Sequence, residues 1–486
     1  MSSGSVPFRS FQVPAMAVPV LKCETHGEPT RISCVECGKP VCPKCMVRTE
    51  VGTKCETCAA PVAPRIPAVR RSRLPWMLAV LGLCIVVGSV VAVILLSGGG
   101  TAVKNGASPR PLGSWSAQPN LGNIRGTTAA VRLQNGQVLA AGGGVGAIPV
   151  SSAELYDPQT HRWTVTGSLQ QARRGAGAVV LADGRVLLAG GVGGAQLLSS
   201  AEIYDPGAGR WTPTGSMTTP RLGGTLTLLP SGDVLAAGGT SPSGQQGTGG
   251  GQTISPTSSA EIYHAATGTW TSTGSMTAAR FEASGTLLSD GRVLIAGGFG
   301  GPGSGTGGIQ YNPLTSTEGY DPAVGAFTAT GQMINPRADH VAVRLDDGTV
   351  LVAGGLGGST GSVSVATAER FDPTTGRWRQ LSPMTRARTG ASAALLANGR
   401  VLVAGGESVE QGVRNSLDSA ELFDASTSTW LPAGAMSCPR SGLGAVTLSD
   451  GSVLEVAGDG AFPGQPPVAQ SCVERYFPGP AGPSGT

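Results

Sequence analysis

The sequence predicts an all-β fold: a seven-bladed β-propeller closed by its own N-terminal strand, preceded by a small zinc-binding domain and a single transmembrane helix. Three observations predict it. A unit with a period near 50 residues recurs seven times, and a fixed period of that size marks a repeat architecture. Seven of the ten cysteines crowd between Cys23 and Cys58. Between the two regions lies an apolar run with no charge, residues 74–96.

The repeat is clearest from Trp163 to Trp211. The aromatics at its head are Trp115, Trp163, Trp211, Trp270, Phe327, Trp378 and Trp430. Ten residues after each stands an arginine: Arg125, Arg173, Arg221, Arg280, Arg337, Arg388 and Arg440. Seventeen further on come Gly142, Gly190, Gly238, Gly297, Gly354, Gly405 and, in the last copy, Ala457 before Gly458. A glutamate follows in every copy: Glu154, Glu202, Glu261, Glu318, Glu369, Glu421 and Glu474. Only the interval from glycine to glutamate varies, from 12 to 23 residues.

Within one unit, AGAVVLA and RVLLAGG flank Asp183-Gly184, and Asp-Gly or Asn-Gly between apolar runs is a strong hairpin signal because both residues tolerate positive φ. SAEIYD reads as a third strand and the segment from Trp211 as a fourth. Runs such as VLLA suit strands buried on both faces. Seven four-stranded units make a propeller. The set opens with a lone fourth strand at Trp115 and ends with a third strand at residues 473–477, so the first should complete the last blade. The propeller is expected over residues 112–478 and a short tail over 479–486.

Residues 1–20, rich in Ser, Pro and Val, read as a tail. In residues 21–60 the potential ligands form four pairs, each with two residues between: Cys23/His26, Cys34/Cys37, Cys42/Cys45 and Cys55/Cys58. That spacing lets both members of a pair reach one tetrahedral Zn²⁺, so four pairs suit two ions. So short a stretch has few apolar residues, and metal binding would supply its folding free energy. A disulfide cluster would leave His26 without a role.

Residues 61–73 are basic, with Arg65, Arg70, Arg71 and Arg73 ahead of the apolar run. Its 23 residues, at about 1.5 Å each, exceed a hydrocarbon thickness of roughly 30 Å. The arginine bias puts the N-terminus in the cytoplasm and the repeats outside. Residues 97–111 form a Gly/Ser/Pro linker. Residues 1–73 carry a net charge of +6 and residues 97–486 one of −2. The second value disfavours nucleic-acid binding by the repeats.

The order of the eight zinc ligands resembles the B-box zinc finger, a protein-interaction module. The resemblance implies that Cys23, His26, Cys42 and Cys45 share one ion and Cys34, Cys37, Cys55 and Cys58 the other, and that a cytoplasmic protein partner binds the module. A glycine pair after an apolar strand, then a Tyr, then a Trp at fixed spacing resembles the Kelch repeat, across residues 115–477. Kelch propellers include copper-radical oxidases, which need two Tyr, two His and a Cys bonded to one Tyr at one end of the axis. The repeats here have only His161, His264 and His340. The first two are expected on the face opposite the variable links, and the third in blade packing.

A group needed once for catalysis is not needed seven times, so the repeated Arg and Glu are expected to form a structural pair. The few unrepeated carboxylates show no acid/base pair, and no catalytic residue is assigned. The variable links, longest at residues 240–259 and 299–317, all emerge on one face. Either that face binds a protein or glycan, or the links are tolerated insertions. Cys438 and Cys472 could form a disulfide in the last blade. The functional expectation is a single-pass membrane binding protein, not an enzyme; the alternative is an extracytoplasmic carbohydrate-active or oxidase-like enzyme with its site on the long links.

Overall fold

In the computed structural model the chain divides into two compact units, Met1–Ala102 and Val103–Thr486. The structure describes residues 111–246, 252–303, 310–410, 412–461 and 468–479, together with four short strands in the first unit. Those four form two hairpins. Leu21–Lys22 pairs with Pro29–Thr30, and Met46–Thr49 pairs with Gly52–Cys55. Of the eight expected zinc ligands Cys55 alone falls within the described residues, opposite Met46. Residues 74–96 lie outside them. Among the described residues no helix is long and apolar enough to cross a membrane.

The second unit is the seven-bladed propeller. Blade 2 shows the pattern: Gly177–Val180, Val186–Ala189, Ala201–Asp205 and Arg210–Thr214, antiparallel in that order from axis to rim. Blade 7 takes three strands from the end of the chain and its fourth, Ser114–Gln118, from the start. Ser114–Gln118 pairs along its whole length with Val473–Phe477, Trp115 opposite Tyr476. The innermost strands of neighbouring blades lie side by side all the way round, blade 7 against blade 1 included.

Every second strand, from Val138–Ala141 to Val453–Val456, is buried along its length, save for the half-buried Arg400 that opens the one in blade 6. Each lies between two neighbouring sheets, which is why these runs are apolar without alternation. The third-strand aromatic packs on the fourth-strand one with ring centroids 4.8–5.2 Å apart. Hydroxyl pairs Thr166–Tyr204, Thr214–Tyr263 and Thr273–Tyr320 then tie the rim strands of blades 1 to 3 to the next blade.

The seven Arg–Glu pairs are internal to their blades, and all fourteen residues are buried. In blade 2, Arg173 Nη2 donates to Glu202 Oε1 at 3.0 Å and to Ser200 Oγ, while Nη1 donates to the carbonyls of Gly190 and Ser200. Glu202 also accepts the backbone N–H groups of Gln170 and Gln171, in the segment arriving from blade 1. One buried ion pair therefore pins three chain segments. The first glycine of each pair has positive φ, 71° at Gly190, and a Cβ there would meet the Arg221 carbonyl of the next blade. The second glycine donates to that same carbonyl, Gly191 N to Arg221 O at 2.8 Å.

Charges this deep are costly unless paired. Removing one partner of a buried pair destabilises by about 3–5 kcal/mol, whereas replacing both by apolar residues costs far less. Glu318→Ala is therefore expected to lower unfolding stability in urea by about 3–5 kcal/mol. Arg280→Met combined with Glu318→Leu should recover much of that loss, and a double variant as unstable as the single one would show that the pair contributes nothing as a pair.

Candidate functional site

The variable links are not loops but a crown. Each folds into its own two-stranded hairpin, seven in all, on one face of the ring. The longest are Thr240–Gln246 with Gln252–Pro256 and Phe299–Gly303 with Gln310–Pro313. Backbone groups in a long link must find partners, and pairing the link with itself satisfies them. The Tyr311 hydroxyl joins these two hairpins by donating to Ile254 O at 2.7 Å.

Beneath the crown the axis opens into a cavity of ≈ 590 Å³. Two repeat positions build its mouth. The first is the residue two after each clamp arginine, where φ is positive in every blade: Thr127 (45°), Gly175, Gly223, Glu282 (51°), Asp339 (53°), Gly390 and Gly442. Consecutive members bond head to tail, with Glu282 N donating to Gly223 O, Asp339 N to Glu282 O and Gly390 N to Asp339 O. A left-handed backbone suits glycine; three residues with side chains in it are strained, and such strain gathers at functional sites. The second is the residue after each glycine pair, which gives Phe299, Glu407 and Asp459.

Four carboxylates thus meet at the mouth with Arg174 and Arg414. Asp339 Oδ2 accepts from Thr389 Oγ1 at 2.7 Å. Glu407 accepts from Ser441 Oγ and from Arg414 Nη1. Glu282 has protein around most of its carboxylate yet stays open to water through the cavity. Burial, then the Asp339 charge, push it up to about 7. Burial also pushes Asp339 up to about 6, against the Thr389 hydrogen bond. Asp459 is raised by burial and by Glu407. This corrects the expectation that the unrepeated carboxylates form no acid/base pair. Glu282 and Asp339 are 57 residues apart but occupy the same position in consecutive blades. Such a pair can accept hydrogen bonds from hydroxyl or ammonium groups and exchange a proton near neutral pH.

His161 and His264 sit at the turns between third and fourth strands, at the opposite end of the blades. His161 Nδ1 lies 2.8 Å from Gln118 Oε1, and His264 bonds Asp233 and Thr271. His340 is wedged between blades 4 and 5 with Nε2 3.0 Å from Ser284 Oγ. Burial lowers it to about 3, so it stays neutral. Cys438 and Cys472 form a disulfide with Cα atoms 6.6 Å apart.

Comparison with known proteins agrees with this architecture. The Kelch motif matches residues 125–170, 172–218 and 336–385, and the B-box zinc finger matches residues 18–50. The B-box match spans Cys23, His26, Cys34, Cys37, Cys42 and Cys45. Among solved structures the chain is similar to a "novel fungal alcohol oxidase with catalytic diversity among the AA5 family, in complex with copper". The TM-score is 0.58 and the identity 19%, with 76% of each chain covered. At that identity the likeness shows the fold. It nevertheless overturns the expectation that the protein is not an enzyme, because this scaffold hosts an oxidase in another protein. The mouth described here does not fit copper-radical chemistry: its donors are carboxylates, whereas imidazole and thiolate donors suit copper. The described histidines lie elsewhere, and the described cysteines of the propeller, Cys438 and Cys472, bond each other.

The raised carboxylates make a pH prediction whose sign opposes ordinary acid denaturation. Their folded pKa values, about 7 and about 6, lie above the unfolded values of roughly 4. The folded state therefore binds more protons in that window, and this contribution to stability falls as pH rises from about 4.5 to 7. Glu282→Gln should flatten the wild-type decline in melting temperature over that range. An unchanged slope would show that Glu282 titrates normally.

Proposed function

We propose that this protein recognises a hydroxyl- or amine-bearing partner, a glycan or a protein side chain, at the axial mouth of its hairpin face. The converging carboxylates at Glu282, Asp339, Glu407 and Asp459 carry this reading, because they depart from the repeat where a repeat needs no charge. The crown of unequal hairpins supplies shape around them, as variable segments on a rigid scaffold commonly do. In this proposal the B-box binds two Zn²⁺ ions and a cytoplasmic protein partner, residues 74–96 span the membrane once, and the propeller lies outside.

The two raised carboxylates at this mouth favour a second reading, a carbohydrate-active enzyme with Glu282 and Asp339 as acid and base. Glycoside hydrolysis commonly uses two neighbouring carboxyl groups, one to give a proton and one to act as base or nucleophile.

Glycan-array and pull-down experiments with the full chain test both readings. Glu282→Gln and Asp339→Asn should each weaken capture at least about tenfold, the loss expected when a charge-assisted hydrogen bond is removed. A ligand held equally well by both variants would place recognition elsewhere. Conversion of a captured glycan, lost in either variant, would select the enzyme. Metal analysis of the full chain should find two zinc ions, and chelation should remove the hydrogen-exchange protection of residues 21–60. Protection that survives chelation would refute a metal-dependent fold.

A further inference from the structure

Blade 7 breaks the rules that the other six obey, and it does so at one junction. In blades 1 to 6 the residue two before the clamp glutamate is Ser or Thr: Ser152, Ser200, Ser259, Ser316, Thr367 and Ser419. Its hydroxyl accepts from arginine Nη2 at 2.8–3.3 Å, and its carbonyl accepts from Nη1 at 2.7–3.0 Å. In blade 7 that residue is Cys472, whose sulfur is bonded to Cys438. Arg440 Nη1 has no partner, and its Nη2 reaches Glu474 only at 3.3 Å, against 2.7–3.0 Å elsewhere.

Three neighbouring features point the same way. The residue equivalent to Cys438 in the other blades, from Asn123 to Arg386, donates its backbone N–H to the glutamate. In blade 7 that second bond is missing and only the preceding residue, Ser437, donates its backbone N–H, as its equivalents do elsewhere, with its hydroxyl donating beside it. Second, Ala457 replaces the first glycine and is held at φ 57°. Third, Glu455 stands directly across the strands from Glu474, fully buried, with Oε1 on Ser392 and Oε2 without a partner. Two carboxylates there face one guanidinium.

We infer that the Cys438–Cys472 disulfide is a thiol-sensitive lock on ring closure: it holds at the last junction what the hydroxyl clamp holds at the other six, and its reduction loosens Ser114–Gln118 from Val473–Phe477. A dithiol supplies the two electrons and two protons. The S–S bond breaks, two thiols form, and the dithiol leaves as a disulfide. Both cysteines are partly exposed, so such a reagent can reach them. The strand released is the one that leads into the ring from the rest of the chain. Reduction would couple the redox state of the surroundings to the closure of the propeller.

Hydrogen-exchange mass spectrometry on the full chain tests this, with and without dithiothreitol, reduction being checked by alkylation of Cys438 and Cys472. Peptides covering 112–118 and 473–477 should exchange roughly tenfold faster or more after reduction, while the equivalent strands 201–214 of blade 2 stay unchanged. No change, or equal acceleration in every blade, would overturn the lock. The paired variant Cys438→Ala/Cys472→Ser removes the disulfide but restores the clamp hydroxyl. It should exchange near the oxidised rate and ignore dithiothreitol, whereas Cys438→Ala/Cys472→Ala should stay fast. If both variants exchange alike, the disulfide does not stand in for the clamp.

Discussion

The buried guanidinium–carboxylate pair at each blade entrance is what the rest of the propeller depends on. The chain is poor in charge, at 13%, yet fourteen charged residues sit in these clamps. A sheet sandwich held by apolar packing alone would leave the link between blades free to slide, because apolar contacts carry little direction. The clamp adds direction. In blades 1 to 6 each glutamate takes two backbone N–H groups from the incoming link, and each arginine takes carbonyls from the outgoing hairpin, so the register of three segments is set at one point. Nearly every polar atom there has a partner, and a buried ion pair is tolerable only under that condition. The exceptions are the arginine Nε atoms of blades 2 to 7 and, in blade 7, Arg440 Nη1 and Glu474 Oε2.

The clamp also shapes the axial mouth. Because every arginine is fixed, the chain must turn sharply after it to enter the innermost strand, and the residue two positions on is forced into the left-handed region. Glycine meets that demand in four blades. In the others Thr127, Glu282 and Asp339 take the strain, and their side chains are held at the rim of the axis. Structural necessity thus creates a ring of seven positions, and the sequence chooses which of them carry chemistry. The low dielectric beside the apolar second strands then raises the carboxylates that occupy it.

Legibility in the sequence follows the same division. Whatever repeats could be read: the strands, the turns, the Arg–Glu pairing and closure by the Trp115 strand all recur at fixed spacing, and each copy corroborates the others. The B-box was legible for a similar reason, since its Cys and His pairs share one spacing. The axial carboxylates were not, because each occurs once and a lone Glu282 or Asp339 carries no pattern of its own. The signal was a comparison across copies: Thr, Gly, Gly, Glu, Asp, Gly, Gly two residues after the arginines. The hairpins of the crown escaped for another reason. Gly-, Ser- and Gln-rich segments such as 240–259 lack apolar alternation, and pair because a scaffold brings their ends together rather than by intrinsic preference.

The seam between the third and fourth strands of blade 7 is where a ring differs from a stack. Six blades pair third and fourth strands that are neighbours in sequence; the seventh pairs Gln118 with Val473, more than 350 residues away. Closing so long a loop costs more conformational entropy than any hairpin in the fold, although the cost grows only with the logarithm of length. A repeat copied without change would give this junction the same clamp as the rest, and so the weakest net hold where the demand is greatest. A covalent bond within blade 7 answers the difference. It cannot shorten the distance between the chain ends, since both cysteines lie near the C-terminal end, but it fixes the third strand to the link beside it. The edge on which the N-terminal strand docks is thereby formed in advance. Pre-forming a template is the way to favour a late, distant pairing, because the arriving strand then has only its own freedom to lose.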